Sequence, residues 1–158
     1  MAVTVSVYNQ AASLFAQGAM NAAGTFTQPE TADTFKVALY TNSPATTPTL
    51  SDVSMTSLTG TYTEVTNGGY TSGGQTLTGV TVTQSGNDAI FDANDASWTA
   101  VTNPISATYA ILYRASKTGD LVNRPLLFID FGQTETAAAS TDFKIVWATS
   151  GIFSFVVT

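Results

Sequence analysis

The chain has 158 residues, enough for one domain with a core of its own, and carries five Lys and Arg against eleven Asp and Glu, for a net charge of −6. So few cations exclude nucleic acid and anionic membrane as binding partners, because both need clustered positive charge. The chain has no cysteine, which excludes disulfides and thiolate metal sites. Charged residues make up 10%, against roughly 25% in ordinary soluble domains, and the Thr- and Val-rich remainder favours strands.

The N-terminal region predicts one helix. An apolar stripe with a period of 3.6 residues runs along one face, formed by Val7, Ala11, Leu14, Phe15 and Gly18. Ser6 is placed to cap this helix, and Gly18 or Gly24 to end it. We therefore assign residues 1–30 to an N-terminal helical segment and residues 31–158 to a single β domain. The N-terminus has no basic stretch typical of a signal peptide, so we expect synthesis in the cytoplasm.

From residue 34 the pattern changes to the period of two that is typical of strands. The segment 34–41 places Phe35, Val37 and Leu39 on one face and Lys36, Ala38 and Tyr40 on the other. Residues 42–60, which include Pro44 and Pro48, predict a long surface loop. Further strands are predicted at 62–66, 75–84, 88–93, 106–116, 124–132, 142–148 and 151–157.

The spacing of these strands defines the fold class. No helical pattern separates them, which indicates antiparallel pairing rather than βαβ units. The apolar runs at 111–113 and 126–131 predict central strands buried on both faces. We predict an all-β antiparallel sandwich, jelly-roll-like or Ig-like, with a short N-terminal helix.

The string GYTSGGQT at residues 69–76 has the outline of a phosphate-binding loop. Such a loop needs a lysine where Gln75 stands, and it must lead into a helix, whereas TLTGVTVT alternates like a strand. The alternative is a glycine-rich bend that feeds a strand. We favour the bend, in which positive φ angles are expected at Gly68, Gly69, Gly73 and Gly74.

An acidic stretch at residues 87–98 offers oxygen ligands for calcium, from Asp88, Asp92, Asn94 and Asp95. A calcium-binding EF-hand loop needs glycine at its sixth position and glutamate at its twelfth, where this chain has Ser97 and Asn103. Short acidic turns between strands are the alternative, because Asp and Asn bond their own backbone. We expect no bound metal and no cofactor, and these four residues are the calcium candidates.

Catalytic chemistry has few residues to use. The chain contains no histidine or cysteine, which removes the usual catalytic triads. Two carboxylates would suffice for a glycosidase, and Asp130, inside a hydrophobic strand, and Glu64 are the candidates. The alternative to a catalytic role is that Asp130 faces water or pairs with a nearby cation. The aromatic residues indicate either a carbohydrate-binding surface or, as their period of two favours, core positions: Tyr8, Tyr40, Tyr62, Tyr70, Tyr109, Tyr113, Trp98 and Trp147.

An ordered set of segments resembles a known group of proteins. The set is VYNQAASLF, FKVALYT, a proline-containing loop, GYTSGGQTLTGVTVT, FDANDASWT, YAILYR, LLFIDFG and GIFSF, and it extends from Val7 to Phe155. This succession resembles small structural proteins of tailed-bacteriophage virions, cyanophages included. The resemblance implies a non-enzymatic virion component, either a capsid decoration (cement) protein or a tail- or fibre-associated adaptor that binds the host.

The resemblance also implies partners and a location. We expect the protein in the virion, bound to the major capsid protein, to other virion proteins and to itself, with a homotrimer as one form. Segments 42–60 and 133–141 are expected to order on contact with a partner. Composition places the candidate interface in the N-terminal segment and the proline loop, at Val3, Val5, Val7, Tyr8, Leu14, Phe15, Pro44 and Pro48.

Overall fold

The computed structural model describes residues 3–11, 34–41, 50–51, 53–59, 62–116 and 123–156. Within them lie one short helix and ten strands. In chain order they are β1 Thr4–Val7, β2 Thr34–Tyr40, α1 Met55–Thr59, β3 Gln75–Thr76, β4 Thr81–Ser85, β5 Asp88–Asp92, β6 Ala96–Thr99, β7 Ile105–Ser116, β8 Arg124–Ala137, β9 Asp142–Ile145 and β10 Phe153–Phe155.

The strands form three sheets, and every strand pair is antiparallel. The largest sheet has the order β1-β8-β7-β2-β3, and the smaller sheets have the orders β10-β5-β4 and β6-β9. A hydrophobic cluster joins the large sheet, through Val37 and Leu112, to the small sheets, through Phe91 and Trp98. This arrangement confirms the predicted all-β, sandwich-like fold.

The large sheet is buried on both faces. A second cluster covers its other face, where Tyr40 and Ile111 pack with Met55 and Leu58 of α1. Neighbouring residues therefore belong to opposite clusters, as Ile111 and Leu112 do on β7. The prediction that 111–113 and 126–131 are central strands is confirmed, as is the alternation of faces along β2. Most of the aromatic residues are buried, as their period of two indicated.

The start of the predicted N-terminal helix is wrong. Ser6 and Val7, expected as its cap and first apolar residue, lie in β1, where they pair with Phe128 and Leu127 of β8. The sequence VTVSV alternates with a period of two, and β8 offers a strand edge to which this alternation fits. Ala11 of the predicted stripe is helical and buried, and the stripe from Leu14 onward lies outside the described residues.

Two other segments differ from the prediction. The predicted strand 75–84 is divided between two sheets, because Gly79 takes a φ of 63° and turns the chain between β3 and β4. Residues 62–66 form no strand, although Glu64 makes one bridge to Tyr40. The strand β6 was not predicted at all, since ASWT is short and follows a polar stretch.

Two segments that were expected to order only on a partner are structured within the chain. Part of the predicted loop 42–60 forms α1, whose Leu58 is fully buried. Residues 133–137 continue β8 beside β7, and hydroxyl pairs join the two strands, Ser106 to Thr136 at 2.8 Å and Thr108 to Thr134 at 2.9 Å. The expectation is therefore wrong for these residues. Among the residues described here, no helix is long and apolar enough to cross a membrane.

Candidate functional site

An apolar groove opens where the two layers of the sandwich part at the β1 edge. We call it the edge groove; its volume is about 490 Å³. Val5 of β1 and the preceding Val3 form its rim, β8 contributes the apolar floor, and β9 with the following residues contributes the opposite wall. The main apolar lining residues of the floor and the wall are Leu127, Ile129, Phe131, Phe143, Ile145 and Trp147.

Three valines of β1 and its start stand exposed beside this groove. Val3, Val5 and Val7 retain 58%, 54% and 48% of their accessible surface. Val5 lies opposite Ile129, a member of the larger core cluster, so the valine side chains lie on the face of the sheet that bears the groove. An apolar row on an edge strand is unusual, because natural edges are commonly protected by charge or proline.

The hydrogen-bonding direction of β1 follows from one contact. The N–H of Tyr8 donates to the carbonyl of Leu126 at 2.9 Å, and extending the β1–β8 register by one residue beyond Val7 and Leu127 places Tyr8 opposite Leu126. Alternate residues of an antiparallel strand direct their backbone groups to opposite sides. Ser6 and Thr4 therefore bond towards β8, whereas the N–H and C=O groups of the three valines point away from it.

The opposite wall is held by contacts to Asp95. Its carboxylate accepts a hydrogen bond from the backbone N–H of Trp147 at 3.1 Å and pairs with Lys144 at 3.2 Å. The indole Nε1–H of Trp147 donates to the carbonyl of Asn94, also at 3.1 Å. The backbone bond from Trp147, followed by the Lys144 ammonium, lowers the pKa of Asp95 below its ordinary value. These contacts fix Trp147 after the end of β9.

The calcium candidates serve local structure. Asp92 Oδ1 accepts from the N–H of Ala93 at 2.9 Å, and Asn94 Nδ2 donates to Thr78 Oγ1 at 3.1 Å. Asp88 lies at the other end of β5 from Asp92, opposite Ser85. Within the part of the chain that the structure describes, no three acidic side chains meet at a distance suited to a metal ion.

The glycine-rich bend at residues 67–74 is confirmed, with positive φ at all four predicted glycines. It is held by what we call the Glu64 clasp. The Glu64 carboxylate accepts hydrogen bonds from the Tyr70 hydroxyl at 2.7 Å, the Ser72 hydroxyl at 2.9 Å and the Gly73 N–H at 2.6 Å. These donors leave the bend tied to a carboxylate, which repels phosphate.

Two tyrosines connect the clasp to the large sheet. The Tyr70 oxygen accepts from the N–H of Leu39 at 3.0 Å while donating to Glu64, and the Tyr113 hydroxyl donates to the carbonyl of Gly73 at 2.6 Å. Burial, together with the nearby Glu64 carboxylate, raises the pKa of Tyr113 to about 12 and that of Tyr70 well above the usual range. Both hydroxyls therefore stay protonated donors.

The two carboxylates suggested for glycoside hydrolysis do not share a site. Glu64 pairs with Tyr40, Tyr40 with Tyr109, and Tyr109 with Asp130, so three strand spacings, roughly 14 Å, separate the two backbones. Directly opposed residues share a face of the sheet, so the side chains of Tyr40 and Tyr109 lie between the two carboxyl groups, which a glycosidase holds about 5–9.5 Å apart across an open site. Glu64 is engaged in its clasp, and Asp130 Oδ1 accepts from the N–H of Gly132 at 2.7 Å.

The structure divides the predicted interface residues into three groups. Val3, Val5 and Val7 lie together at the exposed edge, as an interface requires. Tyr8 is 1% exposed and packs in the second core cluster, which removes it from any surface. The remaining four lie outside the described residues: Leu14, Phe15, Pro44 and Pro48.

The sequence reasoning missed the β9 wall of the groove. Val146 retains 67% of its surface there, next to Trp147. The signal was the apolar run IVW at residues 145–147, which follows Lys144 at the end of a predicted strand and holds more apolar surface than one covered face of a strand buries. Comparison with known proteins found no family model, curated protein or solved structure that matches this chain.

Proposed function

We propose that this protein is a non-enzymatic structural component of a phage virion, a capsid decoration protein that binds across major capsid subunits and stabilises the shell. The observation that carries the proposal is the edge groove with its row of exposed valines, a surface suited to burial against protein. The resemblance of the ordered segments to phage structural proteins supplies the setting.

The chemistry of the surface supports attachment more than catalysis. Residues 3–11 contain no charged side chain, and the groove is lined mainly by aliphatic and aromatic groups, with Glu135, Asp142 and Lys144 as its charged members. Burying apolar surface contributes about 25 cal/mol per Å², and protein interfaces lack charge at their centres. A protein that binds the assembled lattice and not the free subunits stabilises that lattice by mass action.

The test of the virion role is the copy number in purified particles, measured by quantitative mass spectrometry against the major capsid protein. A number that scales with the shell subunits supports decoration. A handful of copies per particle contradicts it and favours the tail- or fibre-associated adaptor. Absence from the particle overturns the virion role altogether.

A second experiment tests the surface. Capsids lacking this protein are mixed with the purified chain, and binding is measured by co-sedimentation. We expect the triple variant V3S/V5S/V7S to lose binding by at least about tenfold, because three apolar contacts are removed. The matched control V101S/V156S changes two valines of similar exposure, 60% and 61%, away from the edge groove, and should bind normally. Equal binding by both variants would contradict the assignment of the surface.

A further inference from the structure

We infer that the β1 edge pairs with β1 of a second copy of this chain, antiparallel and about a two-fold axis. The five-stranded sheets of the two copies then join into one continuous sheet. This inference rests on the proposed function and deepens it: the backbone edge of β1 pairs with a second copy, while the valine row on the groove face of the joined sheet remains the surface that contacts the capsid. A pair about a two-fold axis replaces the expected homotrimer as the unit of self-association.

The backbone of β1 is arranged for this pairing. The N–H and C=O groups of Val3, Val5 and Val7 point away from β8, as the contact from Tyr8 to Leu126 requires. A two-fold axis at Val5 places Val5 opposite its own copy and Val3 opposite Val7 of the second copy. Each such pair exchanges two hydrogen bonds, so the three pairs make roughly six.

The side chains of β1 complement themselves. In this register valine meets valine on the groove face, and Thr4 meets Ser6 of the second copy on the other face. Cross-strand pairs of branched side chains stabilise a sheet, and paired hydroxyls bond each other. The half-exposed valines of the two copies then form one continuous apolar row on the groove face.

Charge favours this edge for self-association. Two copies that each carry −6 repel, and the repulsion is least where the facing surfaces carry no charge. Residues 3–11 are free of charged side chains. Among the other described edges, β9 carries Asp142 and Lys144, and β3 and β10 are only two and three residues long. The remaining edges, β4 and β6, present exposed hydroxyl side chains where β1 presents valine: Thr81 and Thr83 on β4, and Ser97 and Thr99 on β6.

The size of the contact sets the expected affinity. Five residues of an edge strand bury less than the roughly 800 Å² per partner of a stable interface. The pair therefore belongs to the weak class, with a dissociation constant on the order of micromolar. Assembly on a lattice raises the effective concentration and would favour the pair there.

Sedimentation velocity measures the pairing on the isolated protein, from about 0.1 μM to about 500 μM, a range that brackets micromolar affinity. We expect the mass to rise from 16.5 kDa towards twice that value. Val5→Lys places two ammonium groups at the axis, and Val5→Pro removes an N–H that points away from β8 and leaves the β1–β8 bonds intact. Each should raise the dissociation constant at least about tenfold.

The control is Val101→Lys, an exposed valine outside β1, which should change the dissociation constant by less than about twofold. Amide hydrogen exchange provides a second measurement. Protection of the backbone amides of Val5 and Val7 should rise with protein concentration, whereas the amides of Thr4 and Ser6, which bond to β8, should be protected at every concentration. A chain that stays monomeric, or a dimer insensitive to both Val5 variants, overturns the inference. Copy number in particles is measured separately, so either proposal can fail alone.

Discussion

Gly74 lies where the glycine-rich bend meets β2, at a point where the two backbones nearly touch. A Cβ at this position would lie 1.9 Å from the carbonyl oxygen of Val37, and the residue takes a φ of 74°. The obstacle is backbone inside a paired strand, so it cannot rotate away. The glycine is therefore required for space as well as for its dihedral angle.

We predict that Gly74→Ala lowers the free energy of unfolding by at least about 3 kcal/mol, the sum of a left-handed alanine and a backbone clash. Gly86→Ala is the matched control. Gly86 has a φ of 62° with nothing within 4 Å of the added Cβ, so only the dihedral cost of about 1–2 kcal/mol remains. Urea denaturation measures both. Equal losses would show that the contact with Val37 is unimportant.

The Glu64 clasp gives a second prediction at the scale of residues. Glu64→Gln retains one acceptor oxygen and should cost about 1–2 kcal/mol, whereas Glu64→Ala leaves three donors unsatisfied and should cost about 2–4 kcal/mol. The same urea titration ranks them. If Glu64→Gln is as unstable as Glu64→Ala, the charge rather than the geometry holds the bend.

The sequence was sufficient to predict the bend, because glycine type and spacing determine where positive φ occurs. It was not sufficient to predict the clasp. Glu64 reads as one acidic residue in a polar stretch, and only the folded chain brings it to Tyr70, Ser72 and Gly73. The same holds for Gly74, whose neighbour Val37 is distant along the chain.

At the scale of elements, long strands were predictable and short ones were not. β7 and β8 follow from apolar runs with turns at their ends. β1 was assigned to a helix because Val7 and Ala11 also fit a 3.6-residue period, and a local pattern cannot show that β8 offers an open edge 120 residues away. Only one side of the candidate site was predicted from the sequence: the valines at β1 were named as interface residues, and the β9 wall of the edge groove was not.

The position of the segment that follows β9 depends on the hydrogen bond that Asp95 accepts from Trp147. Asp95→Ala removes the acceptor for the Trp147 N–H, so we expect faster hydrogen exchange at that amide and altered Trp147 fluorescence. Lys144→Gln should have little effect, because an exposed ion pair contributes little. A larger change in Lys144→Gln than in Asp95→Ala would contradict this ranking.

At the scale of the whole molecule, the buried tyrosines make stability sensitive to alkaline pH. Burial first, and then the Glu64 carboxylate, raises the pKa of Tyr40 above the usual range, as at Tyr70, and raises that of Tyr113 to about 12. In the unfolded chain the tyrosine side chain has a pKa of about 10. Above that pH the unfolded state binds fewer protons than the folded state, so the free energy of unfolding falls as pH rises.

We therefore predict a urea midpoint that is insensitive to tyrosine ionisation up to about pH 10 and falls steadily towards pH 12. Tyr113→Phe should reduce the steepness of this fall, whatever its effect at neutral pH, because one group no longer ionises in the unfolded state. Phenolate absorbance of the folded protein should rise later than that of free tyrosine. A midpoint that is flat across this range would contradict the protonated, bonded state of these hydroxyls.

The pairing of Thr4 with Asp130 has a consequence for synthesis. β1 cannot be placed in the sheet until β8, more than 100 residues later in the chain, has been made, and such distant contacts slow folding. Meanwhile β8, once formed against β7, exposes an edge that accepts β1 from its own chain or from a neighbouring one. Slow synthesis at low protein concentration favours pairing of β1 with β8 of the same chain. High concentration during folding favours domain swapping, in which β1 pairs with β8 of another molecule. The fraction of molecules that have exchanged β1 therefore depends on how the protein was produced.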